Sequence, residues 1–350
     1  MGILAAWKRR FNMLHWLWRH ARAYDLWLVL ENDCELPDFI SNYATEECDA
    51  RFAEVEQYLR ETPSLKVVQT FHERLARCSI LHGGTVEGML NKSLLIGAPT
   101  AEEIADGIRF SKEKINSESP DRIVFENRRI RPLDNGAIIP SETEISVSFY
   151  HHGLRFASDP VKRYVAGKIF IDAGAYHGES SLTLAAYNPG MILAFEISPR
   201  NFKILQRTLR RSGSHGVNIV PLAVGLGDTE KDIGILDDGS DGTRINRCGT
   251  TTVHVSTLDN VMQKYHEPVG FVKADLEGGA FDMLKGMRET LLRDRPVLAL
   301  YVYHSPEEFF GCFEYLCQPE FNYHLEFQHH DISASLSEIA LIGIPAELFS

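Results

Sequence analysis

No stretch of the sequence offers the roughly twenty consecutive apolar residues that a membrane-spanning helix needs. Basic residues and His15 break every apolar run near the start. Nor does an apolar segment ending in a small-residue cleavage site follow Arg10, so a secretory leader is not expected. The six cysteines, at 34, 48, 78, 248, 312 and 317, form no CxxC pair. Free thiols are expected instead of a disulfide framework or a zinc site, and the cytoplasm is the expected compartment. Positive charge is scarce: 36 Lys and Arg stand against 48 Asp and Glu, a formal charge of −12. Phosphate-backbone binding needs clustered bases, so nucleic acid is excluded as a partner. There is no GxGxxG fingerprint of a dinucleotide site.

What is present suffices for a core. The chain has 350 residues, 44% hydrophobic and 24% charged, room for two domains or for one α/β domain with a large extension.

The first thirty residues stand apart. Lys8, Arg9, Arg10, Arg19 and Arg22 meet no acid before Asp25, and all four tryptophans lie at or before Trp27. Leu4, Trp7, Phe11, Leu14, Trp18, Ala21 and Leu28 recur at helical spacing with the bases mostly off that stripe. Such a helix either packs on its own protein or a second subunit, as in a homodimer, or lies on anionic membrane at the inner face. Further helices are expected over 46–60, 65–82 and 101–115, ended by Thr62-Pro63 and Gly83-Gly84. This gives a helical region 1–118 of unassigned role and a β-rich connecting segment 119–150, with strands at 122–131 and 144–150.

From Lys168 the pattern alternates. Apolar runs of strand length at 169–173, 191–195, 217–224, 271–274 and 297–302 are separated by helical stretches at 198–212, 279–293 and 306–317. Strands buried on both faces and joined by helices make a doubly wound, mostly parallel α/β sheet. Two last runs, 323–328 and 339–344, add an antiparallel edge hairpin.

Ligands of such sheets bind at the carboxyl ends of the strands. The first turn there reads Asp172-Ala-Gly174-Ala-Tyr-His-Gly178. An acid with two glycines suits a cationic ligand better than a pyrophosphate, which favours S-adenosylmethionine over a nicotinamide. The next strand ends at Glu196, an acid suited to ribose hydroxyls, and the third reaches Ala223. The fourth carries Asp275 and Glu277, two apart on a strand and so expected on one face. The fifth ends Tyr303-His304. Asp275, Glu277 and His304 thus form an expected base or metal set, with His304 nearest neutrality in intrinsic pKa; the Mg²⁺ alternative takes Asp275, Glu277 and a further oxygen.

These residues resemble one family. Phe170-Ile-Asp-Ala-Gly-Ala-Tyr-His-Gly178, Ala194-Phe-Glu196, Ser256-Thr-Leu-Asp259, Val272-Lys-Ala-Asp-Leu-Glu-Gly278 and Tyr303-His304 are similar, in order and spacing, to FkbM S-adenosylmethionine-dependent methyltransferases. The resemblance covers about 148–345, and Tyr150-His-His-Gly-Leu154 and Gln328-His-His330 also resemble segments of relatives. It implies a class I methyltransferase sheet of seven strands in a domain over 151–350, and methyl transfer to a hydroxyl of a sugar, glycan or natural product. It also implies that Asp172, Gly174, Ala175, Tyr176 and Gly178 surround the methionine end, that Glu196 holds the ribose, and that Asp275 lies near the departing methyl. Relatives often read Asp-x-Glu-Gly-Ala-Glu, whereas here the last position is Ala280. Tyr176 and His177 replace smaller residues, and Gln328 stands where Arg is expected. A cofactor-binding module without turnover, presenting the N-terminal helices to a partner, is the rival from another class. A nicotinamide oxidoreductase is the second rival.

Overall fold

The computed structural model describes residues 51, 54, 124–125, 128–132, 138–140, 152–155, 157–212, 216–235, 251–329 and 339–349. The chain divides into two compact units, 1–106 with 327–339 and 107–326 with 340–350. Apart from residues 51 and 54, both helical, the expected helices at 4–28, 46–60, 65–82 and 101–115 lie outside the described residues, as does the strand at 144–150. Among the described residues no helix is long and apolar enough to cross a membrane.

Strands β1 (Val124–Phe125), β2 (Arg128–Pro132) and β3 (Ile138–Pro140) form a small antiparallel sheet. The single strand expected over 122–131 is therefore two, with Phe125 opposite Arg128.

The main sheet follows. Its strands are β4 (Ile169–Ala173), β5 (Met191–Phe195) and β6 (Asn218–Leu222), then β10 (Val269–Ala274) and β11 (Val297–Tyr301), and last β12 (Tyr323–His329) and β13 (Ile339–Pro345). The intervening β7 (Gly225–Leu226), β8 (Lys231–Ile235) and β9 (Thr251–Ser256) make a separate three-stranded sheet in the order β7-β9-β8. The seven-stranded order is β12-β13-β11-β10-β4-β5-β6. Pairs β10/β4, β4/β5, β5/β6 and β10/β11 are parallel, and β13 runs antiparallel to β11. This is the class I methyltransferase sheet, with its reversed strand beside the edge.

Every residue of β4, β10, β11 and β13 is buried, which explains the uninterrupted apolar runs in the sequence. Phe170 and Phe271 pack at a tilt across neighbouring strands with ring centroids 5.5 Å apart. The helices are α1 (Asp159–Val165), α2 (Glu179–Leu184), α3 (Pro199–Ser212), α4 (Leu258–Met262), α5 (Ala280–Lys285), α6 (Arg288–Asp294) and α7 (Pro306–Leu316). Ser198 caps α3 by accepting the Asn201 N–H at 3.1 Å, and Ser305 caps α7 by accepting the Glu308 N–H at 3.2 Å. Each precedes a proline at the first helical turn, a strong local start signal.

The helix expected over 279–293 is two helices. A Cβ at Gly286 would overlap the carbonyl oxygen of Gly227, so the chain passes too close for a continuous helix with side chains. Asp259 then starts α6 from outside. Its Oδ1 accepts from the N–H and Oγ1 of Thr290 at 2.8 and 2.7 Å, and its Oδ2 accepts from the Glu289 N–H at 2.9 Å. The Ser256-Thr-Leu-Asp259 motif therefore has a structural use.

Candidate functional site

Strand order reverses between β4 and β10, the topological switch point at whose carboxyl ends sheets of this kind form a ligand crevice. Each expected site residue falls on this edge.

Asp172, near the end of β4, is fully buried. Its Oδ2 accepts the hydroxyls of Ser180 and Ser181 at 2.7 and 2.5 Å, and its Oδ1 lies 3.7 Å from the Lys273 ammonium. Asp172 thus ties the β4 turn to the start of α2 instead of presenting its carboxylate at the surface of the crevice, as the sequence led one to expect. Lys273 in turn donates to the Gly174 carbonyl at 3.2 Å.

Gly174 has φ +78°, and a Cβ there would overlap the carbonyl oxygen of Asp275. Glycine at this position lets the β4 turn and the β10 end touch. Gly178, at φ +97°, starts α2 where a Cβ would press on Leu205. Ala175 is buried and, like Gly174, donates its N–H to the Phe195 carbonyl. The rings of Tyr176 and His177 stack with centroids 3.6 Å apart.

Glu196 faces this turn. Its Oε2 accepts the Tyr176 N–H at 2.9 Å and its Oε1 the Ser198 N–H at 2.7 Å. Each oxygen keeps a lone pair for a further donor. Burial pushes its pKa up to about 7 against the lowering effect of those backbone donors. Glu179, which the sequence reading did not single out, is equally notable. It is buried, burial raises its pKa to about 7, and its Oε2 has no hydrogen-bond partner. Its signal was available: an acid in the first turn after the glycine turn. Ala223 follows β6 and is exposed.

The second half of the site comes from β10 and β11. Asp275 and Glu277 come together with His304 as expected, but not through the pleat. The strand ends at Ala274, and Glu277 sits in the following turn at φ +51°. A non-glycine residue held in the left-handed region stores strain of about 1–3 kcal/mol. His304 Nε2 lies 3.6 Å from Asp275 Oδ1 and 3.6 Å from Glu277 Oε1. Its Nδ1 lies 3.0 Å from Glu308 Oε2, and the Tyr303 ring packs on the imidazole with centroids 3.9 Å apart.

Glu308 is a second residue that sequence reasoning missed. It is 1% exposed, and its Oε1 accepts the Ala280 N–H at 2.9 Å. The turn that lacks an acid at 280 thus receives one from α7. The legible signal was an acid four residues after His304, at the third position of α7.

Burial by itself would lower the His304 pKa, but the carboxylates of Glu277, Glu308 and Asp275 outweigh it and raise the pKa well above the usual value. That upward shift works against the base role expected of His304 from its intrinsic pKa.

Residues 172–338 match the family described as the Methyltransferase FkbM domain. That stretch of the chain is similar to FkbM methyltransferase domains. An FkbM methyltransferase structure from Methylobacillus flagellatus KT shares its fold at TM-score 0.52 and 17% identity, over 87% of this chain and 62% of that one. The chain therefore spans less than two thirds of that structure. An O-methyltransferase from Bacillus cereus in complex with SAH is more remote, with TM-score 0.38 and 11% identity over 70% of this chain and 92% of that one. So is a putative methyltransferase from Streptococcus mutans in complex with SAH, with TM-score 0.35 and 14% identity over 53% and 93%. No curated protein matches the chain closely enough to count as a relative. Within the matched residues, Asp172, Gly174, Glu179 and Glu196 build one half of the crevice edge, and Asp275, Glu277, His304 and Glu308 the other.

Proposed function

We propose that the protein methylates a hydroxyl oxygen of a sugar, glycan or natural product, with S-adenosylmethionine as donor. The observation that carries this reading is charge. Asp172, Glu179 and Glu196 are all buried at the crevice edge, and the cation acting on them is Lys273. A buried anionic excess favours a ligand that brings positive charge. S-adenosylmethionine carries an ammonium and a sulfonium, whereas a dinucleotide brings a pyrophosphate that this edge would repel.

When bound, the cofactor supplies an activated methyl group on a cationic sulfur that leaves as a neutral thioether. The chain's residues do the rest. Glu196 holds the ribose hydroxyls on its remaining lone pairs. The turn from Gly174 to Gly178 shapes the place of the methionine end. Asp275 and Glu277, beside His304, receive the acceptor hydroxyl and draw off its proton, so that the products are a methyl ether, the thioether and one proton. Alignment of this kind supplies about 7–11 kcal/mol of the barrier reduction.

Thermal shift tests the reading. S-adenosylmethionine should stabilise the full chain, and the effect should vanish in Asp172→Ala and Glu196→Ala. Stabilisation by NAD alone would overturn it. Conversion of S-adenosylmethionine to S-adenosylhomocysteine with a glycan or small hydroxylated acceptor separates turnover from a binding-only module.

A further inference from the structure

One ligand atom each from Asp275, Glu277 and His304 lies within 4.8 Å of the others. We propose that these three side chains bind a divalent first-row transition cation, of the Mn²⁺ or Zn²⁺ type, beside the methyl-transfer site.

The argument starts from satisfaction of polar atoms. His304 Nε2 is buried and makes no hydrogen bond, and Asp275 Oδ1 is in the same condition. Buried polar atoms are nearly always paired, yet here an imidazole nitrogen and two carboxylates converge with 3.6 Å from the nitrogen to each oxygen. Adjacent ligands on a cation bonded at about 2.0–2.2 Å are roughly 3 Å apart. The two nitrogen-to-oxygen separations would shorten by about half an ångström on binding.

The other ring nitrogen gives an independent reason. Metal-bound histidines donate their second N–H to a carboxylate or carbonyl, which fixes the tautomer. Glu308 Oε2 lies 3.0 Å from His304 Nδ1, and Glu308 is itself held by the Ala280 N–H. The ring is thereby aimed with Nε2 at Asp275 and Glu277. Glu277 faces it from the turn after β10, at φ +51°.

Ligand type selects the cation. Mg²⁺ and Ca²⁺ prefer all-oxygen sets, whereas one imidazole with two carboxylates suits a borderline metal. This replaces the Mg²⁺ that the sequence first suggested. Three protein ligands leave coordination positions open to an acceptor oxygen. The cation's chemical use rests on the proposed methyl transfer: a hydroxyl on the cation releases its proton to water, with no change of oxidation state. The binding itself stands without that reading.

The test is calorimetric titration of the full chain, freed of metal by chelation, with MnCl₂, ZnCl₂ and MgCl₂. One Mn²⁺ or Zn²⁺ per chain should bind, at least tenfold more tightly than Mg²⁺. Binding should be lost in Asp275→Asn and His304→Gln and weakened about 10–100-fold in Glu308→Gln. Circular dichroism checks folding, and Glu277→Gln, on a partly exposed turn, serves if the buried variants do not fold. Absence of saturable Mn²⁺ and Zn²⁺ binding, or equal binding by wild type and the folded variants, would overturn the proposal. S-adenosylmethionine binding is measured in parallel. Cation without cofactor binding keeps this site and sinks the methyl-transfer reading; cofactor without cation binding does the reverse.

Discussion

Glu308 holds His304 in place: its Oε2 lies 3.0 Å from Nδ1 of the ring while its Oε1 takes the N–H of Ala280. One buried carboxylate from α7 thus joins the ends of β10 and β11. The ring's free face is thereby fixed toward Asp275 and Glu277, whichever chemistry they serve.

Replacing Glu308 by Ala should therefore do two things. The buried Ala280 N–H loses its acceptor, at a cost of about 1–3 kcal/mol, visible in chemical denaturation. The imidazole loses its orientation, visible as a changed tautomer pattern of His304 in ¹⁵N NMR. An unchanged His304 spectrum would show that Glu308 only caps α5.

Ligand affinity should depend on pH through the crevice carboxylates. Burial raises the pKa of Glu179 and of Glu196 to about 7, so below that pH both carry protons. A cationic ligand binds the charged forms and must expel those protons. Affinity for S-adenosylmethionine should rise between about pH 5.5 and 7, by up to about tenfold per unit for each proton released, and level off above. S-adenosylhomocysteine, without the sulfonium, should show the weaker dependence. Equal pH profiles for the two ligands would refute this.

The same two groups set a stability trend in the ligand-free protein. Their folded pKa values of about 7 exceed the ordinary 4.5, so the folded state binds more protons than the unfolded one between those values. Their contribution is fully present below about pH 4.5 and is lost as pH rises through about 7, on the order of a few kcal/mol. Glu196→Gln should flatten the fall in denaturation midpoint over this window.

Gly174→Ala should abolish the site while sparing the sheet. Its φ of +78° and the overlap of a Cβ with the Asp275 carbonyl oxygen force the β4 turn away from β10. Loss of S-adenosylmethionine stabilisation with circular dichroism retained is the expected result.

Asp259→Ala should act in the opposite way. Its carboxylate accepts from the Glu289 and Thr290 N–H groups and from the Thr290 hydroxyl at the start of α6. Its loss should cost about 1–2 kcal/mol, measured as a lower denaturation midpoint. Cofactor affinity at the folded state should stay within about twofold, because nothing in the crevice touches it.

Strands β4 and β5 carry the bounds read from sequence, 169–173 and 191–195, because burial on both faces writes an apolar run that needs no knowledge of its partners. Helices α3 and α7 were legible for a similar reason: Ser-Pro starts are local chemistry. The acids of the candidate site were legible too, since they end apolar runs. Contacts between distant segments were not. The close pass of Gly227 split a helix at Gly286, and β8 and β9, short and half-exposed, left no clear period. Sequence placed Asp275 and Glu277 two apart, but the left-handed turn at Glu277 aims them at one nitrogen. Composition supplied the acids and glycines of the crevice. Only the packing of α7 beside α5 decided that Glu308 would also take the Ala280 N–H, because that contact joins residues far apart in the chain and leaves no period in it.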